Sequence, residues 1–220
     1  MILSQGTMNP QLRFNVRTTR GEQRRTKHLI GIDEAGRGPI AGPVAVAAVI
    51  VFSHFDLRKL LEIKDSKQLN PQKREIWFKK AHLFKKEGFI DFAVSFSSEK
   101  TIDSRGIVPA IQASLNRSIK KICKEPLSAH VFLDGGLRAP LEFQYQNTII
   151  RGDEKISIIA LASILAKVER DRKMVSYGQK YPLYGFEQHK GYGTHPHYKA
   201  IKKHGIIALH RKSFLKKIDK

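Results

Sequence analysis

The chain carries a single cysteine, Cys123, among 220 residues. It can therefore close no disulfide within itself and build no cysteine-based metal knuckle, and a reducing cytoplasm suits it best. Long apolar runs are missing too. The stretch Val44 to Phe52 has nine residues, against the roughly 20 a bilayer-spanning helix needs, so it reads as a buried strand and no membrane association is expected. Acids are scarce: 20 Asp and Glu face 40 Lys and Arg, for a net charge of +20. Basic residues run the whole length, which points to a polyanionic partner, nucleic acid foremost. No Gly-x-Gly-x-x-Gly, Walker signature or internal repeat is present, so a dinucleotide- or nucleotide-binding βαβ unit is not expected. The first 28 residues hold Arg13, Arg17, Arg20, Arg24, Arg25 and Lys27 against one acid, Glu22. They lack the apolar segment of a secretory signal; an organelle transit peptide and a flexible basic arm lying on phosphates both suit them, and the arm is preferred.

In so basic a chain, the places where acids do occur carry information. Residues 31 to 39 read Gly-Ile-Asp-Glu-Ala-Gly-Arg-Gly-Pro. Leu29, Ile30 and Ile32 form a short buried strand, and Asp33 and Glu34 fall where it leaves the core. Val44 to Phe52 follows a Gly/Pro turn as a second, central strand. Asn70 caps and Pro71 opens a helix expected to turn Ile76, Trp77, Ala81, Leu83 and Phe84 inward until Gly88 stops it. Ile90, Phe92, Val94 and Phe96 alternate as in a half-buried strand, and Ile111, Leu115, Ile119 and Ile122 recur at helical spacing up to a buried Cys123. Val131 to Leu133 make another strand, with Asp134 at its end and Gly135-Gly136 turning the chain. A strand around Phe143 to Ile150 precedes Asp153, and a helix from about Ile156 to Met174 comes next. Thr194 and Pro196 open a last short helix. This order describes an α/β layer with a central mixed sheet flanked by helices.

Cleavage of a phosphodiester needs an activated water, charge neutralised on the phosphate and a stabilised leaving oxygen, and two divalent cations about 4 Å apart supply all three. Hard Mg²⁺ takes oxygen ligands, so Asp33, Glu34, Asp134 and Asp153 on separate segments would suffice without histidine. Each acid alone could equally cap a turn or a helix.

The Gly31 to Pro39 segment, Asp65-Ser66-Lys67, Phe132-Leu133-Asp134-Gly135, Gly152-Asp153, the run Ala162 to Val168 with Arg170-Asp171, and His189-Lys190-Gly191-Tyr192-Gly193-Thr194 together resemble bacterial ribonuclease HII over about Leu29 to Phe214. Six motifs in order make the resemblance specific. It implies a ribonuclease H-like catalytic domain over residues 29–220, with a small C-terminal helical extension from about 176. The implied activity is an endonuclease cutting the RNA strand of RNA·DNA hybrids and single ribonucleotides embedded in duplex DNA, leaving 5′-phosphate and 3′-hydroxyl ends.

The resemblance further implies two Mg²⁺ or Mn²⁺ ions held by Asp33, Glu34, Asp134 and Asp153. It places Gly36, Arg37 and Gly38 against the 2′-hydroxyl, and Tyr192 on the sugar that follows. Lys67, Ser163 and Lys167 match polar positions read as phosphate contacts, although Lys167 and Asp171 could simply form an i,i+4 ion pair. His195 and His197 are expected to face solvent or phosphate. Ile206 to Leu209 depart from the small, proline-containing stretch of the family. The Gly-Arg-Gly turn, and the lack of a large N-terminal substrate-binding domain, favour type HII over HIII, and a monomer is expected. A DNA-cutting nuclease and a basic RNA-binding protein are the competing readings.

Overall fold

The structure is a computed structural model and describes residues 15–17, 23–25, 27–63 and 69–215. Strands β1 (Asn15–Arg17) and β2 (Gln23–Arg25) pair antiparallel as a small ribbon within the basic N-terminal segment. The main sheet has five strands, β3 (His28–Ala35), β4 (Val44–Phe52), β5 (Ile90–Ser97), β6 (Ala129–Asp134) and β7 (Gln146–Ile149), in the order β5-β4-β3-β6-β7. The β3-β4 and β4-β5 pairs are antiparallel, whereas β6 runs parallel to both β3 and β7. The sheet is thus mixed.

Seven α-helices complete the described chain: α1 (Pro71–Lys86), α2 (Glu99–Arg105), α3 (Ile107–Ile122), α4 (Gly152–Lys155), α5 (Ser157–Lys180), α6 (Phe186–His189) and α7 (His195–His204). The unbroken apolar character of β4 has a direct cause. Its Ala47, Val49 and Val51 meet α1 and α5 on one face, with Trp77, Ile158, Leu161 and Leu165, while Val46, Ala48 and Ile50 meet α3 on the other, with Ile111 and Leu115. A strand covered on both faces has no position left for a polar residue. A third cluster, Ile40, Ala41, Met174, Tyr184, Phe186, Ile201, Leu209 and Leu215, joins the C-terminal segment to the turn after β3. Among the described residues no helix is long and apolar enough to cross a membrane.

Three sequence expectations change. In α1, Asn70 does cap the helix, its Oδ1 accepting from the Lys73 amide at 2.8 Å, but Ile76 and Leu83 are 53% and 57% exposed. Trp77, Phe78 and Ala81 form the buried stripe instead, and Ile76 and Leu83 fall on its flanks. The strand expected over Phe143 to Ile150 is shortened to β7, because Phe143 leaves the ladder to fill the core. The long helix runs on to Lys180, and Asp153 lies in the separate turn α4 that precedes it.

Candidate active site

Parallel pairing of β3 with β6 sets Ile32 opposite Leu133, so the next residues along, Asp33 and Asp134, stand side by side at the strand ends. Asp33 is only 4% exposed. Its Oδ1 accepts from the Glu34 amide at 2.8 Å, and the Ser163 hydroxyl of α5 provides a further hydrogen bond. Burial pushes the Asp33 carboxyl well above the usual range, and the charges of Glu34 and Asp134 push it further; the two hydrogen bonds only partly offset this. Glu34 is also raised, first by burial and then by Asp134, against the pull of Arg37 at 3.5 Å.

Beyond β7 the chain turns through Arg151, which sits in the left-handed region at φ 55°. The turn aims the Gly152 amide at Asp134, whose Oδ1 accepts from it at 2.6 Å. Asp153, next in sequence, is 1% exposed. The Asp134–Gly152 bond therefore brings the β6 end and the start of α4 together; Asp33, Glu34 and Asp134 act on one another's charge at the ends of the interior strands β3 and β6, and Asp153 follows directly on the residue bonded to Asp134. Among the described residues no three His, Cys, Asp or Glu side chains are drawn into a ready-made ligand set. The chemistry of the donors nonetheless fits hard divalent cations: they are carboxylates, and in at least two of them burial and a neighbouring carboxylate hold the proton more tightly than usual. Asp33, Glu34, Asp134 and Asp153 are the residues that could hold such ions.

The Gly36-Arg37-Gly38 turn borders these acids. Gly36 has φ 92°, and a Cβ there would overlap the Arg170 guanidinium. Arg37 and Gly38 are exposed, and a side chain at 38 would meet nothing within 4 Å. Protein packing thus does not demand glycine at 38; what it leaves open is the approach from outside.

Two buried arginines hold this turn from within, and sequence reasoning missed their role. Arg211 donates to the carbonyls of Gly42 (2.8 Å), Arg37 (3.0 Å) and Gly36 (2.7 Å). Arg170 donates to those of Pro43 (2.9 Å), Lys190 (3.0 Å) and Ala41 (3.4 Å). They are 0% and 1% exposed respectively. Burial, and then the charge of Arg170, lower Arg211 to about 10; the buried Glu99 supplies opposing charge to both. One signal was available in the sequence. Ser163, Ala166, Arg170 and Met174 recur at helical spacing, and all are buried.

Tyr192 sits beside the turn. Its neighbour Gly191 has φ 84°, a Cβ on it would overlap the Ala41 carbonyl, and its own carbonyl accepts from the Ile40 (2.9 Å) and Ala41 (3.2 Å) amides. The Tyr192 side chain is 44% exposed, with the Lys167 ammonium 5.8 Å from its ring centroid. Lys167 also makes the i,i+4 pair with Asp171 at 2.9 Å. Ser163 turns to Asp33, as described above, and Lys67 lies outside the described residues. The two histidines divide: His195 is exposed, but His197 is 0% exposed, contrary to expectation, because its position in α7 shares the inward stripe with Ile201. The divergent Ile206 to Leu209 stretch still docks, Leu209 accepting from the Gly42 amide at 2.8 Å.

Residues 30–217 match the family model described as Ribonuclease HII. The chain is 44% identical over 187 residues to the ribonuclease HII of Endomicrobium trichonymphae, covering 84% of each. To that of Fusobacterium nucleatum it is 45% identical over 195 residues, covering 87% of each. Among solved structures, it superposes on the RNase HII of Archaeoglobus fulgidus, solved in a complex with PCNA, with a TM-score of 0.64 at 27% identity over 83% of this chain and 93% of that one. The Bst-RNase HIII solved with Mn²⁺ shares the fold, with a TM-score of 0.58 at 18% identity over 86% of this chain and 65% of that one.

Proposed function

Because the chain belongs to the ribonuclease HII family, and is thereby an endonuclease of the ribonuclease H class acting on RNA strands, we propose that it cuts both RNA·DNA hybrids and single ribonucleotides embedded in duplex DNA. The observation that carries this reading is the juxtaposition of gathered, like-charged acids with a glycine turn whose outer side is open.

Asp33, Glu34, Asp134 and Asp153 would hold two Mg²⁺ or Mn²⁺ ions. Those ions, when bound, supply the charge that activates water and stabilises the leaving oxygen, giving 5′-phosphate and 3′-hydroxyl products. The residues do the rest. Ser163 and the Glu34 amide fix the Asp33 carboxylate in one rotamer, and the Gly152 amide does the same for Asp134. Gly36, Arg37 and Gly38 present main chain to the ribose, where the 2′-hydroxyl distinguishes RNA from DNA. Tyr192 stacks on the following sugar, with Lys167 and Lys67 on the backbone phosphates.

Residues 29–220 are assigned to the catalytic domain with its extension from about 176, and the basic residues of 1–28, most of which lie outside the described residues, add phosphate attraction. The protein acts as a cytoplasmic monomer in replication and repair. The test is a duplex carrying one ribonucleotide, run beside all-DNA and full-hybrid controls with each metal. Cleavage at the ribonucleotide is expected, and Asp134→Asn should abolish it while binding survives. Cleavage of the all-DNA control, or an active Asp134→Asn variant, would overturn the reading.

A further inference from the structure

Beneath the Tyr192 loop lies a row of three stacked or touching imidazoles, those of His189, His197 and His210. His189 and His197 stack at 4.2 Å between centroids and 17° between planes, and the Nε2 atoms of His197 and His210 are 3.2 Å apart. His197 and His210 are 0% and 1% exposed. Buried ring nitrogens are usually hydrogen-bonded, and an unpaired one is costly.

The partners fix where each proton must be. The Ile207 amide donates to His210 Nδ1 at 2.9 Å, so His210 carries its proton on Nε2 and gives it to His197. His197 therefore accepts at Nε2 and carries its proton on Nδ1, which lies 2.8 Å from the Tyr192 carbonyl oxygen. The rival arrangement, His210 Nδ1 donating to the Ile207 carbonyl at 3.3 Å, would leave two bare Nε2 lone pairs facing each other at 3.2 Å. In the third ring, His189 Nδ1 accepts from the Gly191 amide at 3.2 Å and Nε2 donates to the Tyr184 carbonyl at 2.7 Å. The groups on either side of Tyr192, the Gly191 amide and the Tyr192 carbonyl, are thus both held by histidines.

We propose that His197 and His210 are positioning residues, a two-ring chain of neutral imidazoles that runs from the Ile207 amide to the Tyr192 carbonyl and sets the tyrosine against the substrate. His189 braces the same loop from its other side. Since the Gly191 carbonyl is also bound by Ile40 and Ala41, the chain fixes Tyr192 relative to the Gly36-Arg37-Gly38 turn. Burial is the main reason the rings stay neutral: it lowers His197 to about 4, and His189 and His210 are shifted the same way. This inference rests on the reading of Tyr192 as a substrate contact.

Two measurements test its two halves separately. Long-range ¹H–¹⁵N spectra of the intact, ¹⁵N-histidine-labelled protein at pH 7.5 should show His197 protonated on Nδ1, and His189 and His210 protonated on Nε2. Any other set of tautomers overturns the chain, without need of a variant. Kinetics on the one-ribonucleotide duplex then compare Tyr192→Ala, His210→Phe and His210→Gln. His210→Phe keeps the ring but not the donor, and should raise KM about tenfold while kcat stays within a factor of about two. His210→Gln retains an N–H near Nε2 and should restore most of that loss, which a merely structural role would not require. If Tyr192→Ala raises KM and His210→Phe does not, the positioning role is wrong. If Tyr192→Ala leaves KM unchanged, the substrate role of the loop falls and the functional half of the inference falls with it, while the tautomers still decide the structural half.

Discussion

The two sides of the site are built on opposite principles. At the ends of β3 and β6, carboxylates are buried out of water and raise one another's affinity for protons, so this region is held under electrostatic strain. A few residues away, the Gly36-Arg37-Gly38 turn and the loop before Tyr192 have their inward carbonyls bound by two guanidinium groups. In the first region burial and like charge outweigh the pull of Arg37, 3.5 Å from Glu34; the second is satisfied from within. On the proposed function, chemistry is served by a site that gains most when its ligand arrives, and recognition by one that moves least.

This contrast can be broken most sharply at the acids. Asp134→Asn should lower cleavage on the order of 10³-fold or more, whereas Asp33→Asn should be equally inactive yet more stable, by about 1 kcal/mol in urea unfolding, because it removes strain. A loss of stability in Asp33→Asn would show that the acids are not repelling one another. On the satisfied side, Arg211→Lys keeps the charge but cannot reach three carbonyls at once. Its unfolding free energy should fall by about 3 kcal/mol.

Acid sharpens the comparison further. His197 is shifted from its ordinary 6.5 down to about 4, so below pH 6.5 the unfolded chain takes up a proton more readily than the folded one. Its contribution to stability is intact above pH 6.5 and declines as pH falls toward 4. Denaturation midpoints across that range should slope downward with acid, and the slope should flatten in His197→Phe. The smallest effect is expected at Lys167→Ala, whose partly exposed pair with Asp171 is worth about 0.5 kcal/mol at most in thermal unfolding.

The sequence made the strained region easier to read than the satisfied one. Asp33, Glu34 and Asp134 stand at the ends of apolar strands in a chain poor in acids, and the parallel register then places Asp33 and Asp134 together. The Asn70 cap and the two-faced burial of β4 followed from local rules. Arg170 falls in a family-matching segment, but the role that it and Arg211 play is not legible there, because the carbonyls they bind are far off in sequence; Gly36 lies 175 residues from Arg211. The burial of His197 is hidden for a similar reason. This residue follows a proline at a helix start, which looks solvent-facing, and its neighbour His210 comes from another segment. In α1, apolar residues at 76 and 83 flank the true stripe, and periodicity alone did not separate them from Phe78.

The inward anchoring of the glycine turn has a consequence for how this surface can change. Its path is set by guanidinium groups gripping main-chain oxygens, a form of attachment indifferent to which side chains the turn carries outward. Arg37 and Gly38 form an exposed facing on that frame, so new side chains could be tried at those two positions without disturbing the core beneath. On the proposed function, altering what the enzyme accepts and keeping it folded would then be separable problems, one belonging to the outer atoms of the turn and the other to Arg170 and Arg211.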